Sequence, residues 1–476
     1  MKKYILIILC CLTSFPLWSY NVNMIVEHYS VDQGLPNNTV NCTLKDRDGF
    51  IWFGTWYGLC CFDGVKFKTF NKQEHDSDVP PRKIQRIVED KNGYIWVKTI
   101  DRKLYVFNKV TECFHAVYDD MKNYSENIQV IKLQNTAEGD VLLLTKDKNL
   151  LLAGVDEKGQ VTIKILFDSR DEINKHDYTL KHHVLCETEE YISWIGTDYK
   201  VSAVHKGAEL ASRPADFITS KINSGDKDSF TSFFEDGRKV WVGDRAGIFY
   251  SIDVRTGLVN RYVLSEIKGA ISNLLVTPAG YVYLSVAGQG TYEYDLAERR
   301  LQKINTEMND AMVTHAFIDQ YDKIWFHENE KALIYYDPLN HTAKRFPFTM
   351  FGKITTLYSE DAGERGLFFL SPAGEAWLFD REHAEMVYIN KLKQLSNDRA
   401  NQQFYHLMLD NDGVLWLSSA DEGVYCMNFP KKQFNLLSLS PQSAGQENYT
   451  IGVRALFQSK SGDIWGGTRW QSVYWV

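Results

Sequence analysis

Most of the residue patterns that announce chemistry are missing from this 476-residue sequence. It holds no CxxC pair, no histidines spaced as zinc ligands, no HExxH, no glycine-rich phosphate loop and no Gly-x-Ser-x-Gly elbow. Those absences remove the commonest zinc, nucleotide and serine-hydrolase chemistries, so neither a cofactor nor a metal is expected. Proline is scarce at 11 residues and glycine stands at 31, which excludes collagenous and low-complexity classes. An excess of basic residues is lacking too. The formal charge is −8, with acidic residues spread along the chain, so direct nucleic-acid contact is not expected.

Long apolar runs are confined to the start. In "MKKYILIILCCLTSFPLWSYN" Lys2 and Lys3 precede a run of the length of a signal h-region, with Leu17 and Ser19 near a plausible cut. Residues 1–20 therefore read as a signal peptide; an uncleaved anchor is the alternative, although the run is short for a span of ~20 residues. Six cysteines remain beyond it, at 42, 60, 61, 113, 186 and 426. Adjacent Cys60 and Cys61 in a strand point to opposite faces, so at most one of them faces the core, and small buried thiols are the expectation.

Aromatic residues, by contrast, are abundant. They make up 13% of the chain, with 12 Trp, 26 Tyr and 26 Phe, a composition that suits sheets. Much of this wealth belongs to a repeat: an apolar strand, an Asp/Asn-Gly turn, a strand centred on Trp, a small-residue stop and a third strand ending near Asp. "VNCTLKDRDGFIWFGTWYGLCCFD" from Val40 and "FYHLMLDNDGVLWLSSADEGVYCMN" from Phe404 are clear copies. The central position is held in turn by Trp52, Trp96, Leu142, Trp194, Trp241, Tyr283, Trp325, Phe369, Trp416 and Trp465, at intervals of 42 to 52 residues. Period-2 alternation between turns marks short antiparallel strands, and a fourth strand such as "VKFKTF" follows each third. Four strands in ~45 residues match a β-propeller blade. The fold expected is all-β, with Trp52, Trp96, Trp194, Trp241, Trp325, Trp416 and Trp465 as wedge-filling blade anchors.

The "DRDG" and "DNDG" turns resemble the start of a calcium loop, yet they lack its later carboxylates and distant glutamate. A self-capped hairpin turn accounts for them. His182 and His183 stand isolated and read as surface or strand-edge residues. Acidic residues recur with the turns too regularly for one unique active site of the hydrolase kind.

In an a-b-c-d meander the b–c turns share one face with the links that feed each inner strand, opposite the Asp-Gly turns. Those b–c turns vary and carry polar and aromatic side chains. A ligand is expected there, with Trp56, Tyr57, Asp198, Tyr199, Arg245, Arg469 and Trp470 as the candidate contacts, among neighbours such as Asp101, Arg102, Lys200 and Gln289. Aromatic faces beside charged donors suit carbohydrate.

The segment "YSVDQGLPNNTVNCTLKDRDGFIWFGTWYGLCCFDGVKFKTF" (29–70) resembles the start of the sensor region in hybrid two-component system proteins of Bacteroidetes, built of two-component regulator propeller repeats. "GLPNNTV", "DGFIWFGT" and "GLCCFDG" carry the resemblance. It implies a periplasmic sensor with seven-bladed propellers that binds glycan oligosaccharide, dimerises, and signals across the membrane to a kinase and DNA-binding output. No span, kinase or DNA-binding helix is seen before Val476, so the chain reads as a sensor fragment or truncated product, itself no enzyme. The alternatives are an exported propeller hydrolase or lyase, and a protein-binding scaffold.

Nine repeats precede the stretch 429–458, which looks like a junction, whereas seven close a ring in that family. Repeats one and two (21–120) are accordingly expected to belong with a second propeller, repeats three to nine (121–430) to form the first ring, and 431–476 to begin the next; a first ring of repeats one to seven is the alternative.

Overall fold

The computed structural model describes residues 25–70, 80–121, 129–147, 149–167, 180–188, 190–196, 201–207, 215–216, 230–304, 313–328, 331–348, 358–361, 363, 366–371, 376–389, 404–428, 453–459, 464–468 and 473–475. Strand β1 (Ile25–Tyr29) precedes the first blade, β2 (Val40–Lys45), β3 (Ile51–Thr55), β4 (Gly58–Phe62) and β5 (Phe67–Phe70). The second is β6 (Ile84–Glu89), β7 (Ile95–Thr99), β8 (Leu104–Asn108) and β9 (Cys113–Ala116). Six more antiparallel meanders follow, as blades 3 (130–167), 4 (180–216), 5 (230–263), 6 (271–303), 7 (313–347) and 8 (358–389).

Blade 9 has three strands of its own, Phe404–Leu409, Leu415–Ser419 and Val424–Asn428. Its fourth is β1, antiparallel to Val424–Asn428 with Glu27 opposite Cys426. Among the described residues there are thus nine four-stranded sheets up to Asn428, and the first strands of neighbouring blades approach one another around the centre. This is a β-propeller.

Large side chains fill the wedges between blades, as the aromatic content requires. Trp52 (blade 1) packs with Phe70 and with Phe107 of blade 2, ring centroids 5.4 and 5.5 Å away. Val88 and Trp96 (blade 2) share a cluster with Leu133, Val141 and Leu143 of blade 3. Trp416 (blade 9) meets Phe53 of blade 1 at 5.8 Å and Tyr29 of β1 at 6.5 Å. The anchors Trp52, Trp96, Trp241, Trp325 and Trp416 are all buried. The side chain of Trp194 lies outside the described residues, although its strand (Tyr191–Gly196) pairs as the second of blade 4.

This grouping departs from the expected ring of seven over 121–430. Repeats one and two lie in the same compact unit as repeats three to nine, which ends at Asn428. Blade 1 packs on blades 2 and 9, and blade 2 on blade 3. Similarity between repeats reports packing inside a blade. Closure is decided by the partner of β1, which is too short to read as a repeat.

Residues 429–476 form a separate unit. Its described strands, Val453–Gln458, Ile464–Thr468 and Val473–Trp475, make one three-stranded sheet. There Trp465 is 40% exposed, so the expected anchor is not a buried one. Residues 1–24, including the expected signal peptide, lie outside the described residues, as do the side chains of His182, His183 and Cys186. Among the described residues no helix is long and apolar enough to cross a membrane.

Candidate functional site: the b–c turn face

The two ends of the blades carry different side-chain chemistry. At the Asp-Gly end, the Asp46 carboxylate accepts the backbone N–H of Asp48 (3.0 Å) and Phe50 (2.9 Å) with Oδ1, while Oδ2 accepts the Trp52 indole N–H at 2.8 Å. The same indole clamp recurs as Trp96–Asp90 (2.9 Å), Trp241–Asp236 (2.7 Å), Trp325–Asp319 (3.1 Å) and Trp416–Asp410 (3.2 Å). The self-capped turn was legible in the sequence. The indole bond was not, because it spans six residues in most copies and depends on the hairpin's register.

Asp46, Asp48 and Glu89 lie close enough together to hold a cation. Lys109 Nζ fills that role, donating to all three at 3.1, 2.5 and 2.8 Å. Similar pairs knit neighbouring turns, with Lys45 on Asp410 and Asp412, Lys206 on Glu138 and Glu187, and Arg381 on Asp319 and Asp361. Because Lys109 neutralises it, the Asp48 carboxyl is held below its usual range. A cavity of about 830 Å³ opens at this end between blades 1 and 2, lined by Phe50, Trp52, Phe70, Tyr94, Lys66 and Lys68 among others.

At the b–c turn of blade 1 the backbone is tied down while the side chains of Trp56 and Tyr57 stay exposed. Trp56 N–H donates to Thr39 O (3.2 Å), Trp56 O accepts from Lys83 N–H (2.9 Å), and Tyr57 N–H donates to Thr55 Oγ1 (3.2 Å). The two rings are nonetheless 44% and 58% exposed, and the Lys83 ammonium lies 5.3 Å from the Trp56 ring centroid. A rigid tip with exposed aromatic faces can stack on an apolar ring face at little entropic cost.

Arg245 is exposed on the b–c turn of blade 5, where Asp244 Oδ1 caps Ala246 and Ile248 N–H at 2.8 Å each. Blades 2, 3 and 4 lie between it and Trp56 and Tyr57 along the chain, so the structure does not bring these candidates together. Asp198, Tyr199, Arg469 and Trp470 lie outside the described residues. Two other turn residues are occupied structurally: Gln289 bonds Lys268 N–H and Glu266 O, and Asp101 pairs with Thr99 and Lys103. Lys83 was missed. It sits on a link 27 residues after Trp56 in sequence, and only blade stacking brings the two together.

Among the described residues Cys42, Cys60, Cys61, Cys113 and Cys426 are free thiols. Cys42, Cys60 and Cys426 are buried and Cys61 is half-buried, and burial pushes these thiols up to about 12. Cys60 belongs to the core between blades 1 and 9 and Cys61 packs against the core between blades 1 and 2, so both thiols of the pair face core, on opposite sides of the sheet, where at most one was expected to.

The class defined by these features is an all-β propeller of Trp-anchored blades. Its first blade is a specific one: residues 34–57 match the two component regulator propeller family, a match that contains Trp52 and ends on Trp56 and Tyr57. No curated protein matches the chain. Among solved structures it is similar to an extracellular domain described under the one component system BT4673 of B. thetaiotaomicron, with a TM-score of 0.37, 14% identity, and coverage of 83% of this chain and 65% of that one. It is also similar to the extracellular domain described under the hybrid two component system BT3049 of the same organism (TM-score 0.33, 15% identity, 94% and 64% covered). A third is virginiamycin B lyase from Staphylococcus aureus (TM-score 0.32, 8% identity, 85% and 99% covered). The chain spans 65% and 64% of the length of the first two.

Proposed function

We propose that this chain is the extracytoplasmic, periplasmic sensor portion of a hybrid two-component regulatory system. Its ligand is a glycan-derived oligosaccharide bound on the b–c face, and binding is relayed as a dimer across the membrane to a histidine kinase that controls carbohydrate-utilisation genes. The observation that carries this reading is the regulator-propeller match at 34–57, which ends on the exposed Trp56–Tyr57 tip. Aromatic faces flanked by a lysine suit sugar rings, which present an apolar face and hydroxyls. Sensing needs binding without turnover, and Asp46, Asp48 and Glu89 at the opposite end are engaged by the Trp52 indole and Lys109.

Calorimetric titration of the full chain against an oligosaccharide panel, with product analysis, tests the proposal. Saturable binding without product supports the sensor, whereas product formation makes the chain an enzyme. Trp56→Ala or Tyr57→Ala is expected to weaken binding about tenfold or more while leaving the melting temperature unchanged, as loss of one stacked ring implies.

A further inference from the structure

Next to the Trp56 tip, blade 2 carries three cations, Arg86, Lys98 and Arg102, that form no ion pair among the described residues, the nearby Asp101 being paired with Lys103. Arg86 on β6 and Lys98 on β7 are register partners, so both side chains leave the same face of the sheet. That face looks toward blade 3, where Lys98 Nζ donates to the carbonyl of Ile131. Lys98 is only 7% exposed. Ammonium groups at that depth are ordinarily paired with a carboxylate. Lys109 shows the usual solution in this same blade, with three carboxylates around one ammonium.

Lys98 has the reverse. The charged groups that act on it among the described residues are Arg102, on the b–c turn, and Arg86. Burial, then those two cations, push its ammonium down to about 8. Arg86 also acts on His406 of blade 9, whose Nδ1 is buried without a hydrogen-bond partner. The cluster is continuous with the Trp56 tip through backbone bonds: Lys83 N–H to Trp56 O, Ile100 N–H to Lys83 O, and Val130 N–H to Arg102 O, each 2.9 Å.

We infer that Arg86, Lys98 and Arg102 form an anion subsite that takes a carboxylate or sulfate group carried by the ligand whose ring stacks on Trp56. This rests on the oligosaccharide reading and narrows it to acidic saccharides. A buried cation without a counter-ion costs stability, and an entering anion removes that cost while gaining charge-assisted hydrogen bonds from a guanidinium.

The test uses the full chain and three probes: sodium sulfate, titrated at ionic strength held constant with sodium chloride, trigalacturonate, and its uncharged methyl ester. Sulfate is expected to saturate one site, and trigalacturonate to bind about tenfold or more tighter than the ester and to be displaced by sulfate. Arg86→Gln and Arg102→Gln, both at exposed positions, and Lys98→Met are each expected to weaken sulfate and trigalacturonate about tenfold while sparing the ester. Equal affinity for acid and ester, with sulfate binding absent or indifferent to the three variants, overturns the subsite and leaves the sensor reading standing. Sulfate binding that depends on Lys98 and Arg86, with no oligosaccharide bound at all, upholds the subsite and overturns the sugar.

Discussion

At the scale of single residues, one pairing of aspartate with tryptophan recurs in five blades. Asp46, Asp90, Asp236, Asp319 and Asp410 each cap a turn with one oxygen and bind an indole with the other. Where the turn residue is Thr136 or Thr277, the hydroxyl still caps the turn, but no second oxygen exists for an indole, and the central residue is Leu142 or Tyr283. Tyr283 instead donates to Glu293 at 2.9 Å. Asp90→Ala strands two backbone N–H groups and the buried Trp96 indole, so chemical denaturation is expected to show a loss of about 2–4 kcal/mol. Asp90→Thr, which restores the turn alone, is expected to lose less. A second expectation concerns acid. Burial, then the Arg86 charge, push the His406 imidazole down to about 4. A histidine lowered on folding contributes stability that is complete above about pH 6.5 and is lost as pH falls toward 4. His406→Phe should flatten that part of a pH-resolved melting curve, and an unchanged slope would show that other groups set it.

At the scale of strands, the small-residue stop after the central Trp has a steric cause. A Cβ on Gly54 would lie 2.4 Å from Cys42 Sγ and 2.6 Å from Ile84 Cγ2, and one on Gly243 would lie 2.4 Å from Ser232 Oγ and 2.8 Å from Ile271 Cγ2. Each glycine makes room for the first strand of the following blade. That strand starts with a register shift, between Val40 and Cys42, Ile84 and Arg86, and Ile271 and Asn273, among others. The displaced residue can then reach the next blade, as Asn41 Nδ2 reaches Ile84 O and Thr231 Oγ1 reaches Ile271 O, both at 2.7 Å. Gly54→Ala and Gly243→Ala are each expected to cost about 1–3 kcal/mol by overpacking. Denaturation midpoints lowered by both check this, and since neither glycine has a positive φ the loss reports crowding and not backbone strain.

For the molecule as a whole, the decisive contact is β1 on the third strand of blade 9. It removes the free edge that an open array would expose and fastens the first blade to the last. Opposed residues of an antiparallel pair stand about 4.5–5.5 Å apart between Cα atoms, a separation within disulfide range. Glu27→Cys is therefore expected to cross-link to the native Cys426 on oxidation and to raise the melting temperature by several degrees, because the closed loop is long. Peptide mapping checks the bond. A failure to link under conditions that oxidise both thiols would mean that β1 does not close this ring.

What the sequence determined by itself was the blade: its turns, its alternating strands, its buried tryptophans and the exposed Trp56–Tyr57 tip all follow from local periodicity and turn chemistry. Each of those features depends on residues within about one repeat of one another, so a repeat unit displays them. Only the tertiary structure decided which blades share a ring, because that choice rests on a five-residue strand with no repeat signature pairing across 399 positions, Glu27 to Cys426. The surroundings of Arg86, Lys98 and Arg102 were settled at the same level. Whether a lysine is buried, and whether its neighbours are carboxylates or arginines, depends on the blades stacked beside it and not on the residues adjacent in the chain.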